Sequence, residues 1–204
     1  IEEEGAIPFL LSEHFEGSDL KTWYRSALPP LQGLVAILRD IARGLAGIHT
    51  SGLVHSDLTP DSIIVSRKGH VKVQPFTAAR IRHSDTTVHD VIHGTPAYLA
   101  PEIFQGIRAT PQTDLFSLGI IAYELISGQR PFQAASLAEY ADNICNKPHA
   151  PTIQVAPTIP PRLAETIDTL LAKDPSDRFP NAASAAVAFA SAFRQETVDV
   201  KEPA

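Results

Sequence analysis

From residue 34 to residue 48 apolar side chains recur at steps of three and four: Leu34, Ile37, Leu38, Ile41, Leu45 and Ile48. That period lays one apolar stripe along a helix and predicts that the stripe faces a core. Gly52, just beyond it, occupies the usual stop position. Residues 113–127 read differently. Leu118, Ile121, Ala122 and Leu125 fall on one side, and Ile120 and Ile126 widen the apolar surface until it nearly encircles the helix. Such a helix belongs in the middle of a domain, and Gly128 ends it. Between the two lie the β-rich runs Ile63-Ile64-Val65 and Val71-Lys72-Val73, separated by a turn over residues 66–69, which together predict a hairpin.

The flanks are weaker. Ile7-Pro8-Phe9-Leu10-Leu11 suits a buried strand running into a connection marked by Gly17, and Ser18-Asp19 suits the cap of a short helix through Tyr24. Residues 75–94 are polar and aperiodic, and a loop of that length is usually functional or mobile. Helices are expected over 137–145, 162–171 and 182–193, with a proline-studded connection over 148–161. The fold class expected is mainly α with one small hairpin. Residues 1–195 form one domain and residues 196–204 a tail or linker.

Composition narrows the function. The chain has 204 residues, 44% of them hydrophobic and 20% charged, a profile that supports one sizeable core. A formal net charge of −6 gives no electrostatic reason to expect nucleic acid or an acidic membrane surface as partner. Cys145 is the lone cysteine, so no internal disulfide forms and a reducing, cytoplasmic setting is expected. No run is long and apolar enough to read as a membrane span, and the acidic start Ile1-Glu2-Glu3-Glu4 does not read as a signal peptide. The chain has no methionine, so it is expected to be a fragment of a longer protein.

Four motifs in series carry the functional reading. His55-Ser56-Asp57-Leu58-Thr59-Pro60-Asp61-Ser62 resembles the catalytic loop H-R-D-L-K-P-x-N of the protein kinases, and Pro75-Phe76-Thr77 stands where that family has D-F-G. Gly94-Thr95-Pro96-Ala97-Tyr98-Leu99-Ala100-Pro101-Glu102 resembles the segment ending in A-P-E, and Asp114-Leu115-Phe116-Ser117-Leu118-Gly119 resembles the start of the helix that follows. With Asp174-Pro175-Ser176-Asp177-Arg178-Phe179, the wording is most similar to bacterial serine/threonine kinases. The resemblance runs from about residue 7 to residue 193 and implies the C-terminal lobe of such a kinase, beginning at the strand before the hinge. The Gly-rich loop and the strand lysine of the N-lobe are not in this chain.

The resemblance assigns roles position by position. Asp57 takes the place of the catalytic base. The two magnesium-ligand positions hold Pro75, which has no side-chain oxygen, and Ser62, which is neutral and short. Thr59 replaces the lysine near the transferred phosphate, Ser56 the arginine that grips a phosphorylated loop, and Thr77 the hinge glycine. His55 and Phe76 fit the hydrophobic spine, Asp114 the residue that holds the catalytic loop's backbone, and Glu102 with Arg178 an ion pair. For a nucleotide, the backbone of Glu13 and Phe15 would face the adenine edge, Asp19 the ribose, and Leu20 and Ile64 the floor of the base, with Ser12 as gatekeeper. His83, His89 and His93 have spacings that suit a solvated loop better than a metal. The implied function is that of a catalytically impaired pseudokinase, a scaffold or regulator with ATP as a possible ligand and magnesium disfavoured. It would meet a protein partner or substrate through residues 94–102 and the later helices. An active serine/threonine kinase with an unusual metal arrangement, and a helical interaction module with no nucleotide site, are the alternatives.

Overall fold

The computed structural model describes residues 13–74 and 95–193. A two-residue strand β1 (Ser18–Asp19) leads straight into helix α1 (Leu20–Ala27), whose first turn is capped by the Asp19 carboxylate accepting from the Thr22 amide at 2.9 Å. Helix α2 (Leu31–Thr50) follows, with Leu34, Ile37, Leu38, Ile41 and Leu45 buried as the stripe requires, and Gly52 past its end at φ +76°. Ile48, the last residue of that stripe, is only partly buried.

The hairpin forms as read: β2 (Ile63–Val65) pairs antiparallel with β3 (Val71–Val73). Strand β1 adds to the outer side of β2, so the sheet has three strands in the order β1-β2-β3. A two-residue strand carries no period of its own, which is why the sequence reads it only as a helix cap.

Two short helices also escape the periodic reading. Helix α3 (Pro101–Phe104) starts on a proline at its first position, and α6 (Thr152–Val155) lies inside the stretch expected to be an irregular connection. Helix α4 (Pro111–Ser127) buries Leu115, Phe116, Leu118, Ile120, Ile121, Ala122 and Tyr123, and also Thr113, Asp114 and Ser117. It is the central helix, ended by Gly128 in the left-handed region. The remaining helices are α5 (Leu137–Asn146), α7 (Pro161–Leu170) and α8 (Ala182–Ser191). Helix α2 packs mainly on α8 and then on α4, and α4 packs on α7. The core runs continuously from Leu20 and the hairpin through α2 and α4 to Phe189. Among the described residues no helix is long and apolar enough to cross a membrane. The strand expected over 7–11, the loop over 75–94 with its three histidines, and the tail over 196–204 lie outside the described residues.

Candidate active site

The loop between α2 and β2 is shaped from below by one buried carboxylate. Asp114, fully buried in the first turn of α4, accepts from the His55 amide at 2.8 Å and the Ser56 amide at 2.7 Å, and from His49 Nε2 at 2.8 Å. Those bonds hold Ser56 at φ +62°, a left-handed conformation that costs a non-glycine residue roughly 1–2 kcal/mol. His55 is buried, and its Nε2 lies 2.9 Å from the Gln74 carbonyl, an acceptor, so Nε2 carries the proton. Its bare Nδ1 then accepts a long bond, 3.4 Å, from the Asp57 amide. Asp57 is left half-buried at the mouth of the loop, where its Oδ1 accepts from the Thr95 amide at 3.4 Å.

Ser62 is turned inward. Its hydroxyl accepts from the Thr59 amide at 3.1 Å and donates to the Thr59 carbonyl at 2.9 Å, closing the short 3-10 turn Pro60–Ser62 on itself. Thr59 is itself buried, at 7% exposure. The Ser62 carbonyl accepts from the Gln74 amide at 2.8 Å, which fastens the turn to the end of β3.

A second anchor lies below the segment from Thr95 to Glu102. Tyr98 donates to Glu124 Oε2 at 2.6 Å; burial first, and then that carboxylate, raise the phenol's pKa well above its ordinary value. Glu102 and Arg178, 76 positions apart, meet in a two-pronged pair at 2.8 and 2.9 Å, both almost fully buried. The guanidinium also donates to the carbonyls of Gln112, Ala172 and Lys173, so all five of its N–H groups are bonded. Thr113 donates to Glu102 Oε1 at 3.0 Å. Burial works against the Glu102 charge, but the Arg178 hydrogen bonds and charge outweigh it and hold the carboxyl below its usual value.

The residues expected around a nucleotide base are divided. Asp19 and Ile64 are cross-strand partners, so their side chains share one face of the sheet. Leu20, expected beside Ile64 under the base, is completely buried. Glu13 points into solvent, Phe15 is half-buried, and both are touched by Lys72.

A description of the protein kinase domain matches residues 2–189 of the chain. The chain belongs to the protein kinase family. Serine/threonine-protein kinase PknL of Mycobacterium tuberculosis is 35% identical over 183 residues, which is 88% of this chain and 46% of that kinase. Serine/threonine-protein kinase Pkn1 of Myxococcus xanthus is 35% identical over 183 residues, covering 87% and 26%. PknA of M. tuberculosis is 32% identical over 178 residues, covering 86% and 41%. The chain spans less than half the length of these serine/threonine kinases.

In kinase terms, the mainly helical fold with its small sheet is that of a C-terminal lobe. Asp114 fastens the amides of His55 and Ser56, and Glu102 is paired with Arg178, in the two anchors described above. The donor set does not fit a kinase's magnesium ion. Ser62 offers a neutral hydroxyl whose proton and one of two lone pairs are already taken by Thr59, and Pro75, which with Phe76 lies outside the described residues, has no side-chain oxygen, so neither position supplies a carboxylate. His49 and Thr113 were not singled out from the sequence. Their signals, a histidine in the last turn of α2 and a threonine beside Asp114, acquire meaning only once α2 and α4 are packed.

Proposed function

We propose that this chain is the C-terminal lobe of a serine/threonine kinase-family protein whose phosphoryl transfer is impaired, a pseudokinase that works as a scaffold or regulator. The observation that carries the reading is the pairing of the Ser62 hydroxyl with the Thr59 backbone, which leaves that ligand position one lone pair on a neutral oxygen. A kinase contributes positioning and charge neutralisation around the phosphates. Here one ligand position is a neutral hydroxyl bonded twice to Thr59, the other is a proline, and the residue in place of the phosphate-facing lysine is a buried threonine. Losing a charged metal ligand there removes several kcal/mol of transition-state stabilisation, on the order of 10³-fold in rate. Adenine recognition rests on backbone and apolar contacts, so weak ATP binding with little dependence on magnesium is compatible with the same site.

One observation favours the alternative of an active kinase: the clamp from Asp114 still delivers Asp57 to the mouth of the loop. Phosphate transfer from radiolabelled ATP by the intact polypeptide, N-lobe included, decides between them. The pseudokinase reading expects turnover at least about 10³-fold below the ~1–100 s⁻¹ of ordinary kinases. Turnover in the ordinary range that disappears in Asp57→Asn would sink it.

A further inference from the structure

The register of the small sheet places a third residue beside Asp19 and Ile64. Asp19 is the cross-strand partner of Ile64, and Ile64 is the partner of Lys72, so the three side chains rise from one face in a row. The row spans two strand spacings, roughly 10 Å. Its ends differ in charge: a carboxylate at Asp19, an aliphatic centre at Ile64, an ammonium at Lys72.

The Lys72 ammonium does not reach for solvent. It donates to the Glu13 carbonyl at 3.1 Å and to Glu13 Oε2 at 3.4 Å, and it lies 5.8 Å from the centroid of the Phe15 ring. Only 26% of its side chain is exposed, whereas the Glu13 side chain is 86% exposed. The part of Glu13 held in place is therefore its main chain. A carbonyl has two lone pairs, so one bond from Lys72 leaves one acceptor site in a fixed direction.

We propose that Lys72 is a positioning residue that latches residues 13–15 onto the hairpin and aims the second lone pair of the Glu13 carbonyl at the amino group of a bound purine. The inference rests on the nucleotide-binding part of the reading above. It gives the row a division of labour: Asp19 accepts from the ribose hydroxyls, Ile64 carries the ring, and Lys72 fixes the acceptor that distinguishes a 6-aminopurine from a 6-oxopurine. A 6-oxopurine presents an acceptor to that carbonyl, finds no donor there, and gains nothing from the latch.

The test compares the intact polypeptide, N-lobe included, with its Lys72→Met variant, which keeps the stem and removes the donor, and with Lys72→Arg, which restores one. Two readouts are taken without magnesium: the affinity ratio of ATP to ITP, and the rate at which a glutamate-specific protease cuts after Glu13. The latch expects the ATP preference to shrink roughly tenfold in Lys72→Met through weaker ATP alone, the size of effect of one charge-assisted hydrogen bond. Cleavage after Glu13 accelerates in Lys72→Met, the thermal midpoint of the domain stays put, and Lys72→Arg recovers both readouts in part. An unchanged ATP:ITP ratio with unchanged cleavage overturns the proposal. If neither nucleotide binds the unmodified polypeptide, the nucleotide reading fails, and the cleavage rate still decides whether Lys72 latches the segment.

Discussion

Replacing Arg178 with Met tests the deepest polar anchor of the lobe. The guanidinium is 4% exposed, holds both oxygens of Glu102, and satisfies three main-chain carbonyls. Met preserves most of the stem that packs near Phe116, where the guanidinium sits 4.9 Å from the ring centroid, but leaves Glu102 buried with Thr113 as its remaining side-chain partner. Breaking such a pair from one side costs about 3–5 kcal/mol. For a domain of this size that corresponds to a fall in melting temperature of about 6–20 °C, at roughly 2–4 °C per kcal/mol. The pH dependence supplies a sharper check. With Arg178 present, the Glu102 carboxyl lies below its ordinary 4.5, so the pair's contribution is complete above that value and fades as pH falls through the folded-state pKa. Without the guanidinium, burial dominates and raises the carboxyl, so the variant's penalty is relieved on acidification. Urea unfolding followed by circular dichroism at pH 7 and pH 4 should show the gap between the two proteins narrowing toward acid. A loss below about 1 kcal/mol at pH 7, or a gap that widens in acid, would refute the assignment of Glu102 as the charge that Arg178 neutralises.

Asp114→Asn puts an amide N–H against one of three donors, the amides of His55 and Ser56 or the ring of His49, and should cost about 2–4 kcal/mol in a urea titration. The backbone resonances of Ser56 should leave their left-handed position in the same variant, and an unmoved Ser56 would mean that the loop holds itself. Two helix glycines should respond with opposite signs to alanine. At Gly119 a methyl group would come within 2.9 Å of Leu170 Cβ and 3.1 Å of its main-chain carbon, and a loss of about 1–3 kcal/mol is expected. At Gly47 nothing lies within 4 Å, so alanine should stabilise by about 0.5–1 kcal/mol; equal melting shifts for the two would contradict the packing of α4 on α7.

The elements that could be read from the chain are those with a long apolar period. Helix α2 and helix α4 each expose their role in twelve or more residues, and the breadth of the apolar surface on α4 marks it as central before any contact is known. Strand β1, α3 and α6 are too short to show a period: β2 recruits Ser18 and Asp19, Pro101 opens α3 at its first position, and Pro151 stands at the cap before α6. In the candidate site, the closeness of Glu102 to Arg178 was legible only through family resemblance, because no local rule joins residues 76 apart. The closure of Ser62 on Thr59 was not legible at all. A serine in place of asparagine predicts a weaker ligand, but only the geometry shows its hydroxyl engaged by its own turn. Lys72 reads as an ordinary strand residue until the register sets it beside Ile64.

The packing of α2 against α8 joins segments from near opposite ends of the described chain. Contacts between such distant segments carry a large loop-closure entropy before they stabilise anything, and they slow folding. During synthesis, the side of α2 that α8 covers stays uncovered until Ala182–Ser191 has been made. Over that interval the lobe presents that apolar side to whatever is nearby, and α8 acts as the clasp that ends the exposure. Destabilising changes in α8 should therefore lower the yield of soluble protein more steeply than they lower the melting temperature of what has folded.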